Sequence, residues 1–309
     1  MKRKNCTDKK GDVSRETPPF LSVKKNLLAN KNRVVYNKKV TFCNRRFRGG
    51  VKLGKAIAIF NQKGGVGKTT TNINLAACLA LKGKKVLILD IDPQGNTTSG
   101  VGITKKGLDY TTYEMLVNDK LEPEKAIMHT EVKDLDIIPA SVQLAGAEIE
   151  LVQLEGREKR LKKALEKIKG RYDYIFIDCP PSLGLLTINS LTAVDSVLIP
   201  IQCEFYALEG VSQLMSTIEL VKKSLNPKLE IQGVILSMFD GRTNLSVQVV
   251  QEVKKYFGSK VYSTVIPRNI RLAEAPSFGM AITEYDPKSK GAEAYKDFAE
   301  EFLEWEEYN

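Results

Sequence analysis

Residues 61–71 read N-Q-K-G-G-V-G-K-T-T-T, and this stretch decides the fold because it joins an apolar run at 56–60 to a helix-like pattern. Glycines in a strand-to-helix turn let backbone N–H groups point inward around phosphate oxygens, and the start of the following helix attracts the same anion. Within such a loop Lys68 supplies a positive charge, and the hydroxyl of Thr69 can bind Mg²⁺. The sequence therefore predicts a phosphate-binding loop.

The loop also departs from the usual phosphate-binding pattern. Gln62 stands where that pattern begins with glycine, and an extra lysine, Lys63, precedes Gly64 and Gly65. A glycine-rich turn alone is weak evidence for a nucleotide site. The preceding strand, the Lys-Thr ending and the extra lysine together favour nucleotide binding over a purely structural turn.

The charge of the chain is unevenly distributed. The 309 residues carry 47 Lys and Arg against 37 Asp and Glu, a net charge of +10. Residues 1–55 hold 17 of the basic residues and 3 of the acidic ones, so the remaining 254 residues have a net charge of −4. The segment 1–54 lacks sustained periodicity, and we expect it to be disordered and either to hold nucleic acid through its phosphates or to have no role. The segment 55–309 is expected to form one domain.

The composition also narrows the chemistry. Five scattered cysteines form no C-x-x-C pair, which argues against a disulfide framework, a zinc site or an iron–sulfur cluster and favours a reducing cytoplasm. His129 is the only histidine, so histidine-based nucleophilic catalysis has little support. No apolar run approaches the roughly 18–20 residues that span a bilayer.

The chain after Lys55 alternates between strand-like and helix-like patterns. A strand at 55–60, the phosphate loop, a helix to about Lys82 and a strand at 85–92 form a βαβ unit, which implies a parallel sheet. Further strands are predicted at 135–139, 174–178, 196–201, 231–238 and 261–267, and helices at 144–168, 183–194, 208–225 and 245–257. The alternation predicts an α/β fold with a doubly wound, mostly parallel sheet and helices on both faces.

Aspartates follow two of the predicted strands. The stretch D-I-D-P-Q-G-N places Asp90 and Asp92 at the end of the second strand, and Y-I-F-I-D-C-P-P places Asp178 at the end of a later one. In a doubly wound sheet the carboxyl ends of the strands line the ligand crevice, so these side chains can face Mg²⁺ or an attacking water. Aspartate after a buried strand is also a common turn residue, so the first pair alone leaves both interpretations open.

Four motifs together resemble one protein family. They are K-G-G-V-G-K-T at 63–69, D-I-D-P-Q-G-N at 90–96, I-D-C-P-P at 177–181, and V-I-P-R-N-I-R-L-A-E-A-P-S-F-G at 265–279. In this order and spacing they resemble the ParA family of partition ATPases, in particular its chromosomal Soj branch, over about residues 55–305. The resemblance implies a P-loop ATPase with a deviant Walker A motif that uses ATP and Mg²⁺.

The resemblance further implies an ATP-sandwich homodimer. Lys63 of each subunit would cross to the partner's phosphates, where a cation stabilises the charge of the transferring phosphoryl group. Lys68 would hold the β- and γ-phosphates, Asp92 would position the hydrolytic water, and Thr69 together with Asp178, through water, would hold Mg²⁺. A side chain at Gly64 would hinder dimerisation while sparing nucleotide binding.

Two further sets of residues follow from the resemblance. The implied nucleotide contacts are Lys63, Gly64, Gly65, Val66, Gly67, Lys68, Thr69 and Thr70 in the loop, with Met238, Pro267, Arg268 and Asn269 beside the adenine base. The implied contacts to non-specific double-stranded DNA are Arg242 and Arg271, with Lys254, Lys255 and Lys260 as weaker candidates that solvated surface charge explains almost as well. A ParB-like centromere-binding protein is the implied partner that stimulates hydrolysis, and the implied location is the cytoplasm, on the nucleoid.

Two other functions remain open on the sequence. A MinD-like positioning ATPase would end in a basic amphipathic helix that lies on membranes, whereas the pattern at 292–308 is amphipathic but acidic and is expected to pack on the core, so no membrane association is expected. A transcriptional regulator could use ATP only as a conformational ligand.

The N-terminal segment suggests a separate hypothesis. Val13–Thr17 reads V-S-R-E-T, which is one translation frame of the family's centromere-like DNA site, TGTTTCACGTGAAACA. The segment would then be an upstream DNA site read in frame, with the functional start near Val51. The codons of the gene at these five positions test the hypothesis.

Overall fold

The computed structural model describes residues 53–204 and 210–308. The basic segment up to Lys52, with its V-S-R-E-T stretch, lies outside these residues. The strands are β1 (Lys55–Ile59), β2 (Val86–Asp90), β3 (Met128–His129), β4 (Leu135–Ile138), β5 (Tyr174–Asp178), β6 (Ser196–Gln202), β7 (Glu230–Phe239) and β8 (Val261–Pro267). The helices are α1 (Lys68–Leu81), α2 (Asn96–Gly100), α3 (Thr112–Val117), α4 (Leu144–Val152), α5 (Arg160–Ile168), α6 (Leu185–Ala193), α7 (Val211–Ser224), α8 (Asn244–Phe257), α9 (Ile270–Glu274), α10 (Ile282–Tyr285) and α11 (Lys290–Tyr308).

The strands of the described residues form one sheet in the order β3-β4-β2-β5-β1-β6-β7-β8. All neighbours pair parallel except β3 and β4, which pair antiparallel. The strand that leads into the phosphate loop, β1, therefore lies inside the sheet between β5 and β6. The predicted fold class, an α/β fold with a mostly parallel, doubly wound sheet, is confirmed.

The two faces of the sheet carry separate hydrophobic cores. Ala56, Ala58 and Phe60 point to the core shared with α4 to α8, whereas Ile57 and Ile59 point to the core shared with α1 and α11. Successive side chains of a strand point to opposite faces, so a strand buried on both faces is apolar throughout. This double burial holds the carboxyl end of β1, and the loop that follows it, in a fixed position.

Two local features differ from the predictions. The helix predicted at 144–168 is two helices, because the chain turns between them at Gly156, whose φ of 64° lies in the left-handed region. The antiparallel edge strand β3 is two residues long and was not predicted, since so short a strand shows no alternation.

The C-terminal helix α11 packs on the sheet as expected. Its buried side chains include Tyr295, Phe298 and Phe302. The Phe302 ring lies edge-on to Tyr174 of β5, with ring centroids 5.4 Å apart. The apolar face of the helix is thereby used in the core, and no helix of the described residues is long and apolar enough to cross a membrane.

Candidate functional site

The phosphate loop connects β1 to α1 and has the backbone that its glycines allow. Gly65 and Gly67 have φ angles of 74° and 89°, which side chains other than glycine rarely adopt. A Cβ atom on Gly64 would meet nothing within 4 Å. The loop is anchored from β7, which lies beyond β6 in the sheet, where Ser237 Oγ donates to the carbonyl oxygen of Val66 at 2.7 Å. The loop is thus held in a phosphate-binding shape with an open outer side.

Lys68 begins α1 and turns back over the loop. Its side chain is mostly buried, and Nζ donates to the carbonyl oxygen of Lys63 at 3.1 Å. Burial lowers the pKa of this ammonium group, while the nearby carboxylates of Asp178 and Asp92 oppose that effect. A phosphate entering the loop would find a cation that is already inside it.

Asp178 forms the centre of a candidate magnesium site at the end of β5. Its Oδ2 accepts hydrogen bonds from Thr69 Oγ1 at 2.7 Å and from Thr97 Oγ1 at 2.8 Å. Its Oδ1 is buried and has no hydrogen-bond partner among the described residues. A buried carboxylate oxygen without a donor fits a hydrated cation, and hydroxyl and carboxylate oxygens are the ligands that Mg²⁺ prefers. The residues present therefore fit Mg²⁺.

The carboxyl ends of β2 and β5 bring two buried carboxylates side by side. Asp90 and Asp178 are paired in register across the two strands. Burial raises the pKa of Asp178 to about 6, with Asp92 adding to the rise and the hydroxyls of Thr69 and Thr97 opposing it. Burial, followed by repulsion from Asp178, raises the pKa of Asp90 to about 7. Of the two carboxyl groups, only Asp178 has an oxygen without a hydrogen-bond partner among the described residues, so Asp178 is the candidate for holding a cation.

Asp92 lies in the loop between β2 and α2, only partly buried. Its Oδ1 accepts a hydrogen bond from the backbone N–H of Gln94 at 3.0 Å. The carboxylate is close enough to Lys68 and Asp178 to influence the pKa of each. The structure thus brings together the phosphate loop, Asp92 and Asp178, three features that lie far apart in the sequence.

Lys63 lies at the start of the loop and is partly buried. Its backbone N–H donates to Asn61 Oδ1 at 3.0 Å, which fixes the start of the loop. No carboxylate of the described residues lies within 4.0 Å of its ammonium group. Among the described residues, therefore, no carboxylate forms a salt bridge with Lys63.

The two segments predicted to border adenine are neighbours at the end of β7 and β8. Phe239 and Pro267 are paired in register, and the N–H of Arg268 donates to the carbonyl oxygen of Phe239 at 3.1 Å. Met238 has a φ of 52°, an uncommon conformation for a residue other than glycine. The side chain of Asn269 accepts from the N–H of Arg271 and caps α9. The segments are next to Ser237, which contacts the phosphate loop.

The predicted DNA-binding residues are on the surface but differ in their surroundings. Arg242 donates twice to Asp240, at 2.9 and 2.7 Å, and Arg271 contacts Glu274 at 2.8 Å and Asp286 at 3.5 Å. The lysines are on and after α8, where Lys254 and Lys255 are exposed and Lys260 is partly buried. Both arginines are thus paired with carboxylates, which the sequence motif did not indicate.

Other contributors to the site were not predicted. Thr97 donates to Asp178 and accepts from Asn72 of α1 at 3.2 Å, and Ser237 fastens the loop to β7. Gln62, in place of the usual glycine, donates to Thr217 of α7 at 2.9 Å. Two other residues of this stretch, Val66 and Thr70, were predicted. Val66 is buried within the loop, and Thr70 lies in the first turn of α1, where its carbonyl oxygen accepts from Asn74 at 2.8 Å. Only the departure at Gln62 was visible as a sequence signal.

The fold and this arrangement define a P-loop ATPase that uses ATP and Mg²⁺. A family model described as an AAA domain matches residues 54–231. The chain is 64% identical to the sporulation initiation inhibitor protein Soj of Bacillus subtilis over 81% of this chain and 98% of that protein. It is 53% identical to the chromosome partitioning protein ParA of Caulobacter vibrioides over 81% of this chain and 94% of that protein. The chain belongs to the Soj/ParA family of chromosome-partitioning ATPases.

Solved structures agree with this assignment. A Mycobacterium smegmatis protein named cobyrinic acid a,c-diamide synthase, solved with a bound ATP analogue and magnesium, is 39% identical, has a TM-score of 0.73 and covers 83% of this chain and 98% of its own. The cell division ATPase MinD of Pyrococcus furiosus is 26% identical, has a TM-score of 0.68 and covers 82% and 99%. The nucleotide and metal bound to the first of these match the chemistry of the site described here.

Proposed function

We propose that this chain is an ATP-controlled dimer that binds DNA non-specifically during chromosome partitioning and releases it after hydrolysis. The observation that supports the proposal is Lys63, whose ammonium group has no carboxylate partner among the described residues and which precedes Gly64, where a Cβ atom would meet nothing within 4 Å. A second copy that brought its own phosphates to this side would supply the missing negative charge. Each Lys63 would then complete the site of the other subunit.

Within each subunit the roles follow from position. Lys68, already buried in the loop, holds the β- and γ-phosphates, and Thr69 with Asp178 holds Mg²⁺, directly for the hydroxyl and through water for the carboxylate. When bound, the metal neutralises charge on the phosphates. Asp92 orients the attacking water, because it lies beside Lys68 and Asp178 and keeps one face of its carboxylate toward solvent.

DNA binding depends on dimerisation because the residues after 55 have a net charge of −4 and offer only local clusters of positive charge. Arg242 and Arg271 are each paired with carboxylates, so a single subunit offers limited attraction to phosphate. Two subunits on one duplex double the number of phosphate contacts, and the affinity falls steeply with salt as counterion release requires. Lys254, Lys255 and Lys260 add to this surface.

The partner and location follow from the family. A ParB-like centromere-binding protein accelerates hydrolysis and releases the dimer, and the protein acts in the cytoplasm on the nucleoid. Packing of α11 on the sheet favours this function over a membrane-positioning ATPase, since the apolar face that would enter a bilayer is occupied by the core.

The test is ATP hydrolysis by the full chain with and without double-stranded DNA, across salt concentrations. We expect DNA to raise turnover and rising salt to remove the increase. The double variant R242A/R271A should lose the DNA effect, whereas K133A, which removes an exposed lysine before β4, should keep it. A turnover rate that DNA does not change at low salt contradicts the proposal. Sedimentation of the protein with anionic liposomes would instead support the membrane-positioning function.

The regulator alternative has its own test. If ATP were only a conformational ligand, D92A would keep partitioning activity in cells, and the loss of hydrolysis would have no consequence. We expect D92A to bind ATP and DNA but to fail in partitioning, because the dimer would no longer be released.

A further inference from the structure

A second aspartate, Asp90, is hydrogen-bonded to the loop that contains Asp92. Asp90, the last residue of β2, is completely buried. Its Oδ1 accepts from the N–H of Asp92 at 3.2 Å, and its Oδ2 accepts from the N–H of Thr98 at 2.8 Å and from Thr98 Oγ1 at 2.7 Å. All three donors belong to the segment 92–98. The carboxylate therefore ties both ends of this segment to the end of β2.

The segment 92–98 and Asp90 are also hydrogen-bonded to neighbouring elements. Thr98 Oγ1 accepts from the N–H of Ala140, just after β4, at 2.9 Å. Thr112, the first residue of α3, donates its hydroxyl to the carbonyl oxygen of Asp90 at 2.8 Å. The loop is thus anchored to β2, to the end of β4 and to the start of α3.

The burial of Asp90 makes the loop conformation specific. A carboxylate withdrawn from water is unfavourable unless hydrogen-bond donors replace the water it has lost. Among the described residues the donors to its side chain come from Asp92 and Thr98 alone. A loop that moved away would leave this buried carboxyl group without its hydrogen-bond donors, so Asp90 favours the conformation in which Asp92 lies near Lys68 and Asp178.

We propose that Asp90 is a positioning residue for ATP hydrolysis, which acts by holding the backbone of Asp92 and Thr98 so that the Asp92 carboxylate faces the phosphate site. This inference rests on the role proposed above for Asp92. Asp90 is completely buried and both of its carboxylate oxygens are held by Asp92 and Thr98, so it would act through the loop.

The first test is a double-mutant cycle with D90N and D92A. Asparagine keeps the size of the side chain but places its amide group, a donor, among the donors of residues 92–98. We expect D90N to lower turnover about tenfold or more while the affinity for Mg²⁺-ATP changes less than about twofold, since misplacement of a reacting group affects the chemical step. D90N/D92A should be no slower than D92A alone, because residues that act as one unit are not additive.

A second pair of variants tests the same anchor through Thr98. T98V removes the hydroxyl that bridges Asp90 and Ala140 and should slow turnover, while T98S keeps the hydroxyl and should restore it. The matched control is T71V, which removes a buried hydroxyl of α1 that contacts Tyr295 of α11 and has no hydrogen bond to Asp90 or to residues 92–98. Thermal unfolding shows whether each variant is folded. If D90N does not fold, the comparison of turnover between T98V and T98S tests the positioning role instead.

The outcomes separate this inference from the proposed function. Slow turnover in D92A with normal turnover in D90N overturns the positioning role alone. The double variant gives a second criterion. If D90N slows turnover in the D92A background by the same factor as in the unmodified chain, Asp90 acts independently of Asp92 and the positioning role is overturned. Normal turnover in D92A itself overturns the proposed role of Asp92, and this inference with it. As a readout beside turnover, ATP-induced dimers of D90N should persist longer than those of the unmodified chain in size-exclusion chromatography.

Discussion

Lys63 and Lys68 are five residues apart and have opposite surroundings. Lys68 is enclosed and bonded to the loop, whereas the ammonium group of Lys63 has no carboxylate of the described residues near it. The difference is consistent with the proposed roles, in which Lys68 binds the subunit's own phosphates and Lys63 those of a partner subunit. It also gives two kinds of variant that should be distinguishable in binding and in hydrolysis.

The variant K63A should keep nucleotide binding and lose hydrolysis. A cation that neutralises the transferring phosphoryl group in trans contributes roughly a thousandfold or more to turnover. Calorimetric titration with ADP and a turnover assay make the measurement, with K133A as the control at an exposed lysine outside the site. Unchanged turnover in K63A, with or without DNA, refutes the role assigned to Lys63.

Acidification should weaken binding of Mg²⁺-nucleotide. An ordinary aspartate has a pKa of about 4, and burial raises that of Asp178 to about 6, so between these values the folded protein holds a proton that the unfolded chain has lost. This carboxyl group therefore adds less to the stability of the nucleotide-free protein as the pH rises through that window. Mg²⁺ needs the charged form, so its binding strengthens over the same rise.

Titration of ADP with and without Mg²⁺ between pH 5 and pH 8 measures this linkage. The Mg²⁺-dependent part of the affinity should fall below about pH 6, and chelation of the metal should remove the pH dependence. D178N is the control, since an amide does not titrate. A Mg²⁺ effect of equal size at all pH values would contradict the prediction.

Among the elements, α11 has the most direct consequence for stability. Phe302 is fully buried against Tyr174 and Phe176 of β5, the strand that ends in Asp178. We expect F302A to lower the free energy of unfolding by about 3–5 kcal/mol, because it leaves a cavity in the core. Urea unfolding measures the change, and E304A, at an exposed position of the same helix, should change it by less than about 0.5 kcal/mol. A loss below about 1 kcal/mol in F302A would show that α11 contributes little to the core.

The elements also show what the sequence could and could not predict. Long apolar strands such as β5, and the helices α7 and α8, were placed within a few residues, because burial on one or both faces leaves a clear pattern. The break between α4 and α5 and the strand β3 were missed, since a single glycine and two residues carry too little periodicity.

The candidate site was likewise predicted only in part. The phosphate loop, Asp92 and Asp178 have local motifs and were predicted. The bond from Ser237 to Val66 joins residues 171 apart, and the bonds of Thr98 to Asp90 and Ala140 depend on which strands are neighbours. Such contacts are fixed by the sheet order, which no motif specifies.

The whole molecule is expected to change its oligomeric state with ATP, and Gly64 offers a test. A Cβ at Gly64 would meet nothing within 4 Å, and its φ is outside the left-handed region, so the monomer tolerates a side chain there. G64V should bind ATP normally but fail to dimerise with a non-hydrolysable analogue in analytical ultracentrifugation. G67V, at a φ of 89°, should lose nucleotide binding as well, because valine is strained there. A G64V dimer as stable as that of the unmodified chain would rule out close approach of two subunits at this position.

The bonds of the phosphate loop have a consequence for the rate of the cycle. The bonds from Lys68 to the carbonyl of Lys63, from Asn61 to the backbone at the loop's start and from Ser237 to its middle hold the loop in shape before any nucleotide arrives. We expect capture of ATP to replace the bond between Lys68 and the loop carbonyl and to require little ordering of the loop itself, so association should be limited mainly by diffusion into the cleft. The waiting time between successive rounds is then set by the departure of ADP, and the ratio of ATP to ADP around the protein determines how soon it is reloaded.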